Sequence, residues 1–236
     1  MRLDFSGERL LAVVAHPDDA ELLCAGTLAR AAVDGAAIGI LTLCQGDRGQ
    51  PVEPIPDLAA IRRREAEAAA RLLGAELLLG EFADGTLCDD APARERVVEL
   101  VRRFRPTLLL AHSPADYHAD HRAASALAEA ASWMSCSRGL VTTSAPLARP
   151  PAVWLLDTLG MHSFEPGFFV DVTPHADLKE RMLACHESQL RRAADAAFVP
   201  LLEELRAQMS TRGRQSGVTA AEAFRVHHAF GRSRAW

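Results

Sequence analysis

His16-Pro17-Asp18-Asp19-Ala20-Glu21 sets one imidazole and three carboxylates within six residues. His112-Ser113-Pro114-Ala115-Asp116-Tyr117-His118-Ala119-Asp120-His121 places three of the nine histidines and two acids within ten. These are the ligand types of divalent zinc, which in catalytic sites takes three side chains from His, Asp or Glu and leaves a fourth position for water. His16, Asp19 and His121 supply such a set. The plainer reading of the first cluster is helix capping, because Pro early in a helix and Asp near its N-terminus serve free N–H groups and the helix dipole. One Asp would suffice for that, and here there are two in succession beside a histidine. A two-histidine, one-carboxylate set also fits iron in an oxygenase, but the additional acid Asp18 and the element pattern below suit hydrolysis better.

Each cluster directly follows a short apolar run. Residues 10–15 (LLAVVA) read as a buried strand, and residues 19–32, with Leu22, Leu23, Gly26, Leu28 and Ala29 at helical spacing, as the helix after it. Residues 36–43 (AAIGILTL) give a second strand, a polar loop spans 44–57, and a helix over 58–73 stops at Gly74. A short strand at 77–79, a helix at 93–105 stopped by Pro106, a strand at 107–111 and a helix at 120–134 complete four strand-and-helix units. Such alternation predicts an α/β, Rossmann-like fold: a mainly parallel sheet covered by helices on both faces. Sites on such sheets gather beyond the carboxyl ends of the strands, so the residues just after Ala15, Leu43 and Ala111 are expected to converge. Beyond Met134 the pattern loosens, with an irregular stretch at 135–151, strands at 153–156 and 168–172, and helices at 176–192 and 196–210.

Composition bounds the partners. With 49% hydrophobic, 24% charged and 6% aromatic residues the chain is an ordinary globular one, and residues 1–236 read as one domain without a linker. A net charge of −5 does not favour nucleic acid. No apolar stretch approaches the roughly 20 residues that span a bilayer, and no basic segment precedes an apolar signal core, so a cytoplasmic location without membrane partners is expected. The five cysteines, Cys24, Cys44, Cys88, Cys136 and Cys185, are widely spaced and include no CxxC pair, which predicts reduced, mostly buried thiols. A homo-oligomer is compatible with a domain of this size, and the sequence does not decide it.

The order of the motifs resembles the LmbE-like or PIG-L family of zinc-dependent deacetylases, which remove N-acetyl groups from glucosamine-containing substrates. AHPDDAE at 15–21 and HADH at 118–121 are similar to its two signatures. TLCQGDRG at 42–49 resembles its glycine and acid loop, IRRRE at 61–65 its Arg-x-x-Glu helix, and FADG at 82–85 its DG turn. Late in the chain, ACHESQ at 184–189 resembles its His-x-Ser-Gln element and AEAFRV at 221–226 its closing Glu-x-Phe segment. The resemblance implies one zinc ion held by His16, Asp19 and His121, with other divalent metals able to replace it. It further implies Asp18 as general base and His118, protonated, facing the developing oxyanion. Asp120 is expected to orient an imidazole from behind. The implied substrate is a small aminosugar or glycoside.

Three further residues are weaker candidates for holding substrate. Arg48 lies in the loop after the second strand, Arg62 alone of its basic run matches the family's arginine, and His186 falls on a predicted helix as a rim residue. Ala25 stands where the family usually has a second glycine, and Asp47 where it has Glu. Residues 135–165 match nothing and are expected to flank the pocket mouth and carry substrate choice. The competing reading is a non-catalytic Rossmann-like module for a nucleotide or sugar phosphate; against it, no GxGxxG or GxxxxGK[ST] follows the first strand.

Overall fold

The protein is described by a computed structural model covering residues 3–195 and 198–229. Its strands β1 (Arg9–Val14), β2 (Ala37–Cys44), β3 (Glu76–Phe82), β4 (Leu108–Ala111), β5 (Ala152–Leu156), β6 (Phe168–Asp171) and β7 (Ala221–Val226) form one sheet in the order β3-β2-β1-β4-β5-β7-β6. The first five pair in parallel, and β7 runs antiparallel between β5 and β6. Both faces are covered, as alternation along β1 shows. Leu10, Ala12 and Val14 pack into one apolar cluster with Leu28, Met182 and Leu205, while Leu11, Val13 and Ala15 pack into another with Val97, Val101 and Leu127. A strand buried on both sides has to be continuously apolar, which is why residues 10–15 carry no polar alternation.

β1 sits between β2 and β4, so the chain leaves it in opposite directions and opens a crevice at its carboxyl end. The register Val13↔Ala111 brings the residues after β1 and β4 to the same edge. The expected convergence is therefore present.

Two of the expected helices are interrupted, and a third is shifted along the chain. The first is split into α1 (Asp19–Leu23) and α2 (Ala25–Val33). Glu222 of β7 starts the second piece by accepting the N–H groups of Gly26 (2.9 Å) and Thr27 (2.7 Å), a cap supplied from across the sequence. Gly26 is required there, since a Cβ would lie 2.7 Å from Val172 Cβ. The helices α3 (Leu58–Leu73), α4 (Ala91–Phe104) and α5 (Ala119–Met134) fall close to expectation. The helix expected at 176–192 breaks at Cys185 and His186 into α6 (Ala176–Ala184), α7 (Glu187–Leu190) and a 3-10 turn, Arg191–Ala194. The helix expected at 196–210 is α8 (Leu201–Ser216); positions 196 and 197 lie outside the described residues.

β7 has no counterpart in the sequence reading, because its buried Glu222 breaks the apolar pattern; Lys179 Nζ neutralises that carboxylate at 2.6 Å. Of the cysteines only Cys24 and Cys44 are buried, fewer than expected. Residues 135–145 are not at the pocket mouth. Arg102, in the last turn of α4, holds the carbonyls of Ser135 (3.0 Å), Leu140 (2.8 Å) and Ser137 (2.6 Å), and the neighbouring Phe104 carbonyl is bound by Arg9 at the start of β1. That is the amino edge of the sheet, opposite the crevice. Among the described residues no helix is long and apolar enough to cross a membrane.

Candidate metal centre

Asp19 is the hub of the crevice. Its Oδ2 accepts the His16 N–H at 2.7 Å and lies 3.5 Å from His16 Nδ1, and its Oδ1 lies 3.4 Å from His121 Nε2. A carboxylate backs each of these imidazoles on its far side: Asp120 Oδ2 is 3.0 Å from His16 Nε2, and Asp116 Oδ2 is 3.1 Å from His121 Nδ1. Carboxylates so placed fix ring orientation and tautomer, leaving His16 Nδ1 and His121 Nε2 toward the Asp19 carboxylate. Among the described residues three donor groups are close enough to share one cation: His16, His118 and His121; Asp19, His112 and His121; and His16, Cys44 and Asp120. The predicted set of His16, Asp19 and His121 straddles the first two.

The electrostatics agree with a site built for positive charge. Burial disfavours a proton on His16, yet hydrogen bonds to Asp120 and Asp19 outweigh it and hold its pKa up to about 9. Burial likewise opposes protonation of His121, and Asp19 with Asp116 lifts it to about 10. Asp19 itself is held well below the ordinary carboxylate range, the attraction of His121 and His112 overcoming its burial. Asp120 is held down to about 2, burial being outweighed by His16 and the Gly85 N–H.

Asp18 is different. Burial pushes its carboxyl above the usual range in spite of Arg62, whose Nη2 lies 2.9 Å from Asp18 Oδ2 and also donates to the Pro17 carbonyl. Its φ of 103° lies in a region that costs a non-glycine residue about 1–3 kcal/mol and persists only when neighbours impose it. His118 caps α5, its Nδ1 accepting the Asp120 N–H at 3.2 Å. Burial and the nearby His121 and His16 hold its pKa below the ordinary value.

His16, Asp18, Asp19, Arg62, His118 and His121 line one cleft of about 170 Å³, with Asp120 behind them. Two expected residues do not join them. Arg48 is 57% exposed, and only its backbone N–H reaches the site's support, Asp84. His186 is wholly buried rather than at the rim, its Nε2 3.5 Å from Glu21 Oε1. The His-Glu-Ser-Gln element is a clamp: His186 meets Glu21 of α1, Ser188 binds Glu65 of α3 at 2.6 Å, and Gln189 reaches the Gly49 carbonyl at 3.3 Å.

The sequence reading missed His112, Asp116 and Asp84 as parts of the site; the first two were visible as members of the second cluster. It also misplaced the mouth. Of residues 135–165 only Leu159 lines the cleft, whereas Gln189, Arg192, Phe198 and Leu201 do. A larger cavity of about 390 Å³ lies beyond Pro17, lined by Arg63, Arg64 and Glu81, and contains none of the imidazoles.

Residues 11–132, just over half of the chain, match the family model PIG-L, GlcNAc-PI de-N-acetylase. The chain belongs to the PIG-L family. It is 26% identical over 225 residues to diacetylchitobiose deacetylase of Thermococcus kodakarensis, covering 92% of this chain and 82% of that protein. It is also 29% identical over 189 residues to 4-oxalmesaconate hydratase of Pseudomonas putida, covering 76% and 73%. The conserved protein TT1542 from Thermus thermophilus superposes with a TM-score of 0.81 at 33% identity, over 97% of this chain and 100% of that one. The PIG-L match ends within α5, while the structural match takes in nearly the whole chain. Both the resemblance and the α/β fold expected from sequence are thereby borne out.

Proposed function

We propose that this PIG-L chain hydrolyses the N-acetyl group of a small N-acetylglucosamine-containing substrate, using zinc held by His16, Asp19 and His121. The observation that supports the reading is that His16 Nδ1 and His121 Nε2 each lie within 3.5 Å of the Asp19 carboxylate, beside Asp18, a carboxyl whose pKa is raised and whose backbone is strained. Zinc in that place supplies Lewis acidity, polarising the amide carbonyl and acidifying water. Asp18 takes the proton of the attacking water and passes it to the leaving amine nitrogen, a transfer suited to a carboxyl with a raised pKa. His118 Nε2–H donates to the oxygen on which charge develops. Arg62 holds Asp18 in place, Asp120 and Asp116 hold the two imidazoles, and Leu22, Leu159, Phe198 and Leu201 give the sugar an apolar wall.

The test is primary-amine release from N-acetylated aminosugars and their glycosides, diacetylchitobiose included, by zinc-loaded protein beside a chelated and a reconstituted control. Amine that appears only with metal present supports the reading. Protein that binds metal but instead adds water to an unsaturated carboxylate would place the chain with the hydratase relative.

A further inference from the structure

We propose that His112 is a positioning residue that sets the orientation of Asp19 and His121. The inference rests on the metal-dependent reading above and concerns a residue to which that reading gives no task.

His112 is the first residue beyond β4 and is wholly buried. The register of β4 with β1 ends at Val13↔Ala111. The ladder is then extended by a side chain: the Ala15 N–H donates to His112 Nε2 at 3.1 Å. That bond seats the ring on the carboxyl end of β1, one residue before His16. The same nitrogen lies 3.2 Å from Asp19 Oδ2, and the ring face stacks on His121 with centroids 4.0 Å apart and planes 16° from parallel. Among the described residues Nδ1 has no hydrogen-bond partner; Nε2, which accepts the Ala15 N–H, is the unprotonated nitrogen and meets the Asp19 carboxylate by packing, without donating to it.

These contacts fit positioning better than ligation. Asp19 Oδ2 meets His16 Nδ1 at 3.5 Å and His112 Nε2 at 3.2 Å, so the buried His112 ring bounds the oxygen that His16 also faces, while Oδ1 faces His121. His121 is backed at its edge by Asp116, and His112 supports its face. A ligand role would need the Nε2 lone pair that the Ala15 N–H occupies.

Two full-length variants separate the contributions. His112→Phe keeps a flat ring against His121 and removes Nε2, while His112→Gln restores a donor and an acceptor near that position. The readouts are zinc affinity by chelator competition, the visible spectrum of the cobalt-substituted protein, and kcat against KM, each on protein shown to be folded by circular dichroism. Loss of an outer-shell partner costs about 10–100-fold in metal affinity. His112→Phe is expected to lose that much and to lower kcat with little change in KM, with His112→Gln recovering most of both. Cobalt spectra of unchanged coordination number are expected throughout. Zinc affinity equal to wild type in His112→Phe, with only thermal stability reduced, would overturn the proposal, and so would a cobalt spectrum showing one ligand lost. If His112→Phe does not fold, His112→Gln alone decides: wild-type affinity supports Nε2-based positioning, and a lost cobalt ligand overturns it. Wild-type protein that binds no metal overturns the underlying reading, and the proposal with it.

Discussion

Asp120 Oδ2 lies 3.0 Å from His16 Nε2 and accepts the Gly85 N–H at 2.7 Å, so one carboxylate ties the end of β1 to the loop after β3. Its backbone N–H meanwhile selects the tautomer of His118. A single residue thus touches two imidazoles, those of His16 and His118.

Asp120→Asn keeps the size and removes the charge. Zinc affinity should fall about 10–100-fold while the fold persists. Chelator competition measures the loss, and an affinity equal to wild type would show that His16 needs no carboxylate behind it.

Arg62→Met removes the cation beside Asp18. Arg62 lowers the Asp18 pKa against the effect of burial, so without it that pKa rises further. The base is active when ionised, and the acid limb of kcat/KM should therefore move to higher pH. Breaking a buried ion pair should also lower stability by about 3–5 kcal/mol. An unmoved acid limb in the folded variant would remove Asp18 from the base role.

Glu222→Gln leaves Lys179 buried without its counter-charge and weakens the cap on α2. A loss of about 3–5 kcal/mol is expected in urea unfolding. Pairing it with Lys179→Met should recover part of that loss, because the uncompensated charge is then gone.

Phe198→Ala tests where substrate choice resides. Phe198 lines the cleft, with the Arg192 guanidinium 3.9 Å above its ring, whereas Val141 is 88% exposed and belongs to the segment held by Arg102 at the other edge. KM for an N-acetylglucosamine glycoside with an apolar aglycone should rise about tenfold in Phe198→Ala, the scale of a lost apolar pocket contact. Val141→Ala should leave it unchanged. The reverse pattern would return specificity to residues 135–165.

Sequence alone determined the parallel units, the edge of the sheet that carries the site, and both clusters. Those features are local: apolar runs such as 10–15 set strands by periodicity, and each cluster is contiguous with the strand that presents it. Tertiary structure decided how the clusters work together. His112 meets the Ala15 N–H from 97 positions away, Asp120 meets His16 from 104, and Glu222 reaches Gly26 from 196. No spacing rule covers such distances. Buried charges also disguised the elements that carry them: Glu222 hid a strand, and its carboxylate broke a helix that the apolar periodicity made continuous. His186 reads as a rim residue on a helix and is buried in the structure, because α6 ends at Ala184 and the ring lies against Glu21. The mouth was misplaced for the same reason, since only Arg102 and its carbonyl partners show that residues 135–145 lie at the far edge. Periodicity reports which way a side chain points from its own element, and a partner's distance depends on how the elements pack.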